Sequence, residues 1–242
     1  HGSILAIAGI LVRIIGMLYR IPVVNIIGSE GNGIYGAAFN IYNIMLVLSS
    51  YGLPMAVSKL VSARFTKKRY KSAAKVLRCS LMVAVCTGGI AALLVFFGAS
   101  FIENVIYGGG LPGLAIPLRI LAPTIFLVAI LGVIRGFFPG QSTMIPTAVS
   151  QILEQIVNAI VSIAAGYGMM KAFASSPDVA AYGAAGSTLG TAMGALTAVL
   201  FMGFLDAVYT PTFNRLERKD RHTENQSTGE ICKIIIYTMI PE

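Results

Sequence analysis

Long apolar runs separated by short polar breaks dominate this 242-residue chain. Six runs reach the roughly 20 residues that an α-helix needs to cross about 30 Å of hydrocarbon. They lie near residues 4–27, 35–55, 77–100, 114–137, 144–170 and 180–206, and a seventh run begins at Ile231 and extends to Glu242. The pattern predicts an all-α, polytopic membrane helical bundle with six transmembrane helices and the start of a seventh.

The spacing of these runs also predicts the domain organisation. Residues 1–208 would form an N-terminal six-helix transmembrane lobe, and residues 209–230, which are polar and rich in charge, a cytoplasmic linker. Residues 231–242 would be the truncated start of a seventh transmembrane helix. We therefore expect one membrane domain without a soluble module.

Composition agrees with a membrane protein and argues against a soluble enzyme. Hydrophobic residues make up 56% of the chain and charged residues 12%, against about 25% charged residues in soluble domains. The sequence has no glycine-rich phosphate loop after a strand, no His/Cys/carboxylate cluster with ligand spacing and no nucleophile elbow. We predict that the protein is not an enzyme and holds no metal and no cofactor.

The net charge of +8 is concentrated in two places. Eight basic residues lie between Lys59 and Arg78, and four more follow the sixth run, whereas the breaks near 28–34 and 101–113 contain no Lys or Arg. Positively charged loops stay on the cytoplasmic side. This distribution predicts a multi-pass protein of the cell membrane with a cytoplasmic N-terminus, in contact with anionic lipid headgroups rather than nucleic acid.

Two arginines, Arg13 and Arg20, interrupt the first apolar run. Seven residues is close to two helical turns, so both guanidinium groups leave the helix on one face. A charge deep in hydrocarbon costs about 2.5–3.5 kcal/mol on insertion scales. We expect this face to line a wet cavity that receives something anionic.

Other polar residues inside the spans complete the candidate substrate-binding set. The fifth span carries a polar stripe at helical spacing. The set consists of Arg13, Arg20, Asn40, Asn43, Arg119, Gln151, Glu154, Gln155 and Asn158. Since Arg13 and Glu154 lie at similar depths, we expect them to pair, which would offset part of the burial cost.

Each of these residues also has a purely structural interpretation. The charges could form fixed interhelical ion pairs, the asparagines could hydrogen-bond between helices, and Arg119 lies close enough to the interface to extend into it. Gly186, Gly190 and Gly194 repeat every four residues, which predicts close helix packing rather than chemistry.

Three segments of the chain carry motifs of several positions each. The first comprises residues 13–22, from Arg13 through Ile-Ile-Gly-Met-Leu-Tyr-Arg-Ile-Pro, followed by Gly-Ser-Glu-Gly at 28–31 and Gly-Ile-Tyr at 33–35. The others are Ser-Ser-Tyr-Gly-Leu-Pro-Met-Ala-Val-Ser-Lys at 49–59, and Arg-Gly-Phe-Phe-Pro-Gly at 135–140 leading into 146–155. Together they resemble the polysaccharide transporters of the stage V sporulation protein B type, with two departures. Pro139 takes a place where the family pattern has Gln, and only an N-terminal half is present.

The resemblance implies membership of the multidrug/oligosaccharidyl-lipid/polysaccharide exporter superfamily. That fold is two six-helix lobes around a central cavity, so this chain would need a missing C-terminal lobe or a second copy. Related lipid II flippases place first-helix arginines in a cationic cavity for a lipid-linked pyrophosphate. Arg13 best matches such a position, and Arg20 follows the sporulation-type spacing.

The favoured function is therefore a flippase or exporter that moves a lipid-linked oligosaccharide or polysaccharide precursor across the cytoplasmic membrane by alternating access. Its partners would be the lipid bilayer and a lipid-linked sugar diphosphate, in cell-envelope or spore polysaccharide synthesis. Two alternatives remain: a cation-coupled exporter of the multidrug type, and a non-transporting membrane scaffold for envelope or spore polysaccharide synthesis.

Overall fold

A computed structural model describes residues 2–221 and 226–239. The middle of the expected linker and the end of the last expected span lie outside these ranges. The described part is helical, and its helices are α1 Gly2–Ser50, α2 Leu53–Thr66, α3 Tyr70–Phe101, α4 Ala115–Gly140, α5 Ile145–Ala172, α6 Val179–Lys219 and α7 Thr228–Met239. A short π-helix, Ile102–Ile106, continues α3. The all-α membrane bundle expected from the sequence is confirmed.

The first expected span and most of the second fall within α1, which is helical throughout except at Gly28. Gly28 has φ 72° and ψ −176°, a conformation that a residue with a Cβ rarely adopts. Arg13 and Asn43 lie equally far along the chain from Gly28, on either side of it, and both line one cleft. The two parts of α1 therefore fold back toward each other. We call residues 2–27 the first arm and residues 29–50 the second arm. The expectation of a loop near 28–34 is wrong, because the chain reverses at one glycine and is helical on both sides of it.

Helix α2 was not expected from the sequence, which placed the end of a span near residue 55. The second arm ends at Ser50, a turn follows at Tyr51 and Gly52, and Pro54 occupies the first turn of α2. Pro is well tolerated there because its missing N–H would have no helical partner. Helix α2 carries two of the eight basic residues of the basic segment, Lys59 and Arg64, and its buried face is Leu53, Ala56, Val57 and Val61.

Helices α5 and α6 pack closely along the glycine stripe expected from the sequence. A Cβ built at Gly194 would lie 2.6 Å from the carbonyl oxygen of Glu154, and one at Gly186 would lie 2.4 Å from that of Ala165. Real Cβ atoms do not approach that closely, so only glycine permits this backbone contact. The interpretation of the stripe as a packing seam is confirmed.

Two buried apolar clusters hold the bundle together. The first joins the second arm of α1 to α3, α4 and the start of α6, and includes Ile34, Tyr35, Val95, Leu118, Leu121 and Ala184. The second joins α2, α3, α4 and α7, and includes Leu53, Val57, Val76, Phe137, Ile231 and Ile235. Helix α7 therefore packs on the same lobe as α2 and α3.

The chain after α6 is fixed to the junction of α2 and α3. The Asp220 carboxylate accepts a hydrogen bond of 3.0 Å from the backbone N–H of Lys71, in the first turn of α3. Arg64 of α2 donates to the Gln226 side chain at 3.1 Å, and Lys75 donates to the Gln226 carbonyl. A carboxylate at a helix N-terminus is favourable because the free N–H groups there carry partial positive charge. The basic end of the lobe is thus tied together by side chains.

Within residues 2–221 and 226–239, five helical stretches are long and apolar enough to cross a membrane. The first extends through both arms of α1 and through α2, and the others are α3 with its π-helical extension, α4, α5 and α6. Since the two arms of α1 fold back, these stretches provide the six expected crossings. The chain is a multi-pass membrane protein.

Candidate functional site

Four of the expected site residues line one open cleft of about 650 Å³ between the two arms of α1. We call it the arginine cleft. Its lining residues are Arg13, Gly16, Met17, Tyr19, Arg20, Tyr35, Gly36, Phe39, Asn40 and Asn43. The sequence placed the two arginines on one face of the first arm, and the fold-back at Gly28 brings the two asparagines opposite them.

The arginines of this cleft have no carboxylate partner among the residues that the structure describes. Arg13 and Arg20 are both exposed, and neither forms an ion pair within residues 2–221 and 226–239. Asn40 and Asn43 are exposed as well. Guanidinium groups provide rigid, paired N–H donors that match the geometry of phosphate oxygens. The cleft therefore combines two uncompensated positive charges with two amides, which suits an anion attached to a polar group.

The polar stripe of α5 runs alongside the first arm, in the same direction. A Cβ built at Gly16 would lie 3.3 Å from the amide nitrogen of Gln155, so this side chain packs against the first arm at Gly16, which itself lines the arginine cleft. Gln151, one turn earlier on α5, lines a different cleft described below. The stripe expected from the sequence is present, with Gln151 in the second cleft and Gln155 against the first arm.

Asn158 is a packing residue. It is buried, and its Nδ2 donates to the Tyr19 hydroxyl at 3.3 Å. Its Oδ1 accepts hydrogen bonds from Ser162 at 2.9 Å and from Thr191 at 3.4 Å. Asn158 thus ties α5 to the first arm and to α6 and positions Tyr19, which lines the arginine cleft.

The prediction that Arg13 and Glu154 form an ion pair is wrong. Glu154 Oε2 lies 2.7 Å from Nη2 of Arg135, near the end of α4, and both side chains are largely shielded from solvent. Nε of Arg135 donates to the Ser150 hydroxyl at 2.9 Å. Depth alone could not distinguish the two arginines, because Arg135 leaves α4 directly toward α5 whereas Arg13 faces the second arm. The correction leaves the positive charge of Arg13 uncompensated.

Arg119 lies apart from the arginine cleft. Its Nη2 donates to the Ser100 hydroxyl on α3 at 3.0 Å, and its side chain is exposed. The interpretation that Arg119 extends along the bundle toward an interface agrees with this position.

A second cleft, of about 820 Å³, lies between the two ends of α1, α2, the end of α4 and the start of α5. We call it the Lys59 cleft. Its lining residues are Leu5, Leu46, Ser50, Tyr51, Pro54, Met55, Ser58, Lys59, Ser62, Val128, Gly132, Arg135, Gly136, Pro139, Thr147 and Gln151. Sequence analysis assigned Lys59 to a basic loop and missed this cleft. The available signal was Ser58, Lys59 and Ser62, which share a face only if the segment is helical.

Sequence analysis also missed the aromatic wall of the arginine cleft. Tyr19 and Tyr35 are outside the expected set of site residues, yet both line the cleft, and Tyr35 is 4% exposed. The Phe39 ring packs against Tyr35, with centroids 4.6 Å apart. The wall opposite the arginines is therefore aromatic as well as amide-bearing.

Known proteins are similar to this chain along most of its length. A family model described as polysaccharide biosynthesis protein matches residues 1–225. The lipid II flippase MurJ of Bacillus subtilis (strain 168) is 34% identical over 176 residues, 70% of this chain and 32% of that protein. Stage V sporulation protein B of the same organism is 30% identical over 201 residues, 82% of this chain and 37% of that protein. The matched parts thus span well under half the length of these relatives.

Solved structures share the fold at low identity. A MATE crystal structure in complex with MaD3S has a TM-score of 0.75 at 15% identity, over 98% of this chain and 52% of that one. A MOP superfamily transporter from Pyrococcus furiosus has a TM-score of 0.70 at 17% identity, over 98% of this chain and 51% of that one. The fold is that of about half of each molecule.

The named activity of the first relative is flipping a lipid rather than catalysis, which agrees with the prediction that this chain is not an enzyme. The family match covers nearly all of the described helices, and the sequence resemblance pointed to the same group of proteins. Both the helical bundle and the family match over residues 1–225 lead to the same conclusion: the chain belongs to the polysaccharide biosynthesis protein family.

Proposed function

We propose that this chain forms one lobe of a flippase that moves a lipid-linked oligosaccharide or polysaccharide precursor from the cytoplasmic to the outer leaflet. The observation that carries the proposal is the arginine cleft, where two exposed guanidinium groups lack a carboxylate partner. Arg13 and Arg20 bind the diphosphate, and Asn40 and Asn43 hydrogen-bond to the sugars.

The second lobe is supplied by a C-terminal half or by a second copy of the chain. Alternating access requires two bundles that rock around a shared site, and the described helices form one such bundle. The basic end of the lobe lies on the cytoplasmic side, so the N-terminus is cytoplasmic and the substrate enters from there.

The alternative of a cation-coupled exporter is less well supported. An organic cation needs an acidic cavity, whereas the carboxylate of Glu154 is already paired with Arg135 and the open cleft carries two arginines. A scaffold without transport activity would need none of these exposed cleft residues.

A reconstituted flipping assay with the assembled, two-lobed protein tests the proposal. Exposure of the headgroup of a fluorescent lipid-linked sugar diphosphate should be faster than in protein-free vesicles. Arg13→Gln and Arg20→Gln should each reduce the rate about tenfold or more, because each removes a charge-assisted contact to phosphate. Arg119→Gln, outside the cleft, is the matched control and should retain the rate. Wild-type protein that gives no acceleration would reject the flippase and leave the scaffold.

A further inference from the structure

The Lys59 cleft has the composition of a site for an amphiphile. One side is apolar, formed by residues such as Leu5, Leu46 and Val128, and Met55 and Tyr51 at its rim are 77% and 76% exposed. The other side carries polar groups from one face of α2. A ligand with a hydrocarbon chain and a polar end can bury the chain against the first side and present its polar end to the second.

The polar side is suited to an anion. Lys59 is exposed and forms no ion pair within the described ranges. Ser58 and Ser62 flank it on the same face of α2, and their hydroxyls donate to no other described group. The remaining cation, Arg135, is compensated by Glu154 at 2.7 Å. The cleft therefore offers one uncompensated ammonium with hydroxyl donors beside it, a pattern that fits phosphate oxygens.

The Lys59 cleft adjoins the arginine cleft along the substrate path. On α5, Gln151 lines the Lys59 cleft, and Gln155, one turn later, flanks Gly16 in the arginine cleft. On the first arm, Leu5 and Arg13 line the two clefts in turn, about 12 Å apart at 1.5 Å per residue. An anion leaving Lys59 thus meets two uncompensated guanidinium groups within a short distance.

We propose that the Lys59 cleft is a second binding site for the diphosphate end of a lipid-linked substrate, occupied before the arginine cleft. This inference rests on the proposed function and adds an earlier binding site on the same substrate path. One uncompensated cation binds a diphosphate more weakly than two, so affinity increases from the Lys59 cleft to the arginine cleft. This difference in affinity favours transfer of the diphosphate from the Lys59 cleft to the arginine cleft, while binding at the Lys59 cleft stays reversible.

Two single-tryptophan reporters test the site, because the chain contains no Trp. Met55→Trp reports on the Lys59 cleft and Met17→Trp on the arginine cleft. The assembled, two-lobed protein, with any tryptophan of the second lobe replaced by phenylalanine, is titrated with farnesyl diphosphate in phosphatidylcholine nanodiscs while Trp fluorescence is recorded. Both reporters should respond, with the weaker affinity at Met55→Trp. Inorganic pyrophosphate should bind at Met55→Trp more weakly than farnesyl diphosphate, because it cannot use the apolar wall.

Substitution of the lysine gives the matched comparison. In the Met55→Trp background, Lys59→Gln should weaken binding about tenfold or more, Lys59→Arg should largely retain it, and Lys67→Gln, exposed beyond the cleft, should leave it unchanged. In the Met17→Trp background, Lys59→Gln should leave the affinity of the arginine cleft unchanged. Circular dichroism of each variant verifies that the helices are intact.

Each other outcome overturns a defined part of the proposal. If Met17→Trp responds and Met55→Trp does not, the second site is rejected while the proposed function stands. The same conclusion follows if Lys59→Gln leaves the affinity of the Met55→Trp protein for farnesyl diphosphate unchanged. If phosphatidylglycerol produces the same response at Met55→Trp, the cleft holds an ordinary membrane lipid. If neither reporter responds to farnesyl diphosphate, the proposed function itself fails.

Discussion

The charge balance of the lobe depends on which arginine Glu154 contacts. A carboxylate beside Arg13 would have neutralised half of the positive charge in the arginine cleft, but Glu154 pairs with Arg135 instead. Helical spacing predicted that Arg13 and Arg20 share a face and that α5 carries a polar stripe, and both features are present. The partner of Glu154 was not predictable, because it depends on how α4 and α5 pack, which the spacing within either helix does not specify.

The pair between Arg135 and Glu154 should stabilise the junction of α4 and α5. Glu154→Gln and Arg135→Gln should each lower the free energy of unfolding by about 1–3 kcal/mol, since each leaves a shielded charge without its partner. The double variant should cost less than the sum of the two. Unfolding in detergent mixtures measures this coupling, and additive costs would contradict the pairing. Arg13→Gln combined with Glu154→Gln is the control and should be additive.

At the scale of helices, hydropathy located most spans and misjudged the boundaries. The start of α4 and the extent of α5 agree closely with the expected runs. The reversal between the first two spans was expected as a loop near 28–34 but is made at Gly28 alone, and helix α2 was not expected. Hydropathy does not distinguish a reversal at a single residue from a short loop. Helix α2 was missed because Lys59 and Arg64 were grouped with the basic residues that follow them as far as Arg78.

The seam between α5 and α6 should tolerate no side chain. A Cβ at Gly190 would lie 2.6 Å from the Asn158 carbonyl and would also clash with the Ser162 hydroxyl. Gly190→Ala should therefore separate the two helices and lower the thermal midpoint of the protein in detergent. Gly203→Ala, on the same helix with nothing within 4 Å of the new Cβ, should leave the midpoint unchanged or raise it, because Ala favours the helix. Equal midpoints for the two variants would contradict the packed seam.

At the scale of the whole molecule, the lobe has two distinct ends. The basic residues lie at the junction of α2 and α3 and after α6, where Asp220, Arg64 and Gln226 join these segments. The opposite end, around residues 101–113, has no Lys or Arg. The first arm also exposes an apolar stripe that includes Ile7, Leu11, Ile14 and Leu18, on the side away from the arginines. The lobe thus presents a cationic cleft on one side of a helix and an apolar surface on the other.

This asymmetry predicts the orientation in the membrane. In a background where Cys79, Cys86 and Cys232 are replaced by serine or alanine, Lys67→Cys should react with a membrane-impermeant maleimide only in inverted vesicles. Gly109→Cys, at the opposite end, should react only in intact cells. The reverse pattern would contradict a cytoplasmic basic end.

The central claim is that the arginine face of the first arm lines a hydrated space that receives an anion. In the same cysteine-free background, the most direct measurement compares two neighbouring positions, Arg13→Cys and Ile14→Cys. A water-soluble, anionic methanethiosulfonate reacts with ionised thiols in water, so it should modify position 13 rapidly and position 14, on the apolar stripe, slowly. Farnesyl diphosphate should protect position 13. Slow modification at position 13, or equal rates at both positions without protection, would contradict the account.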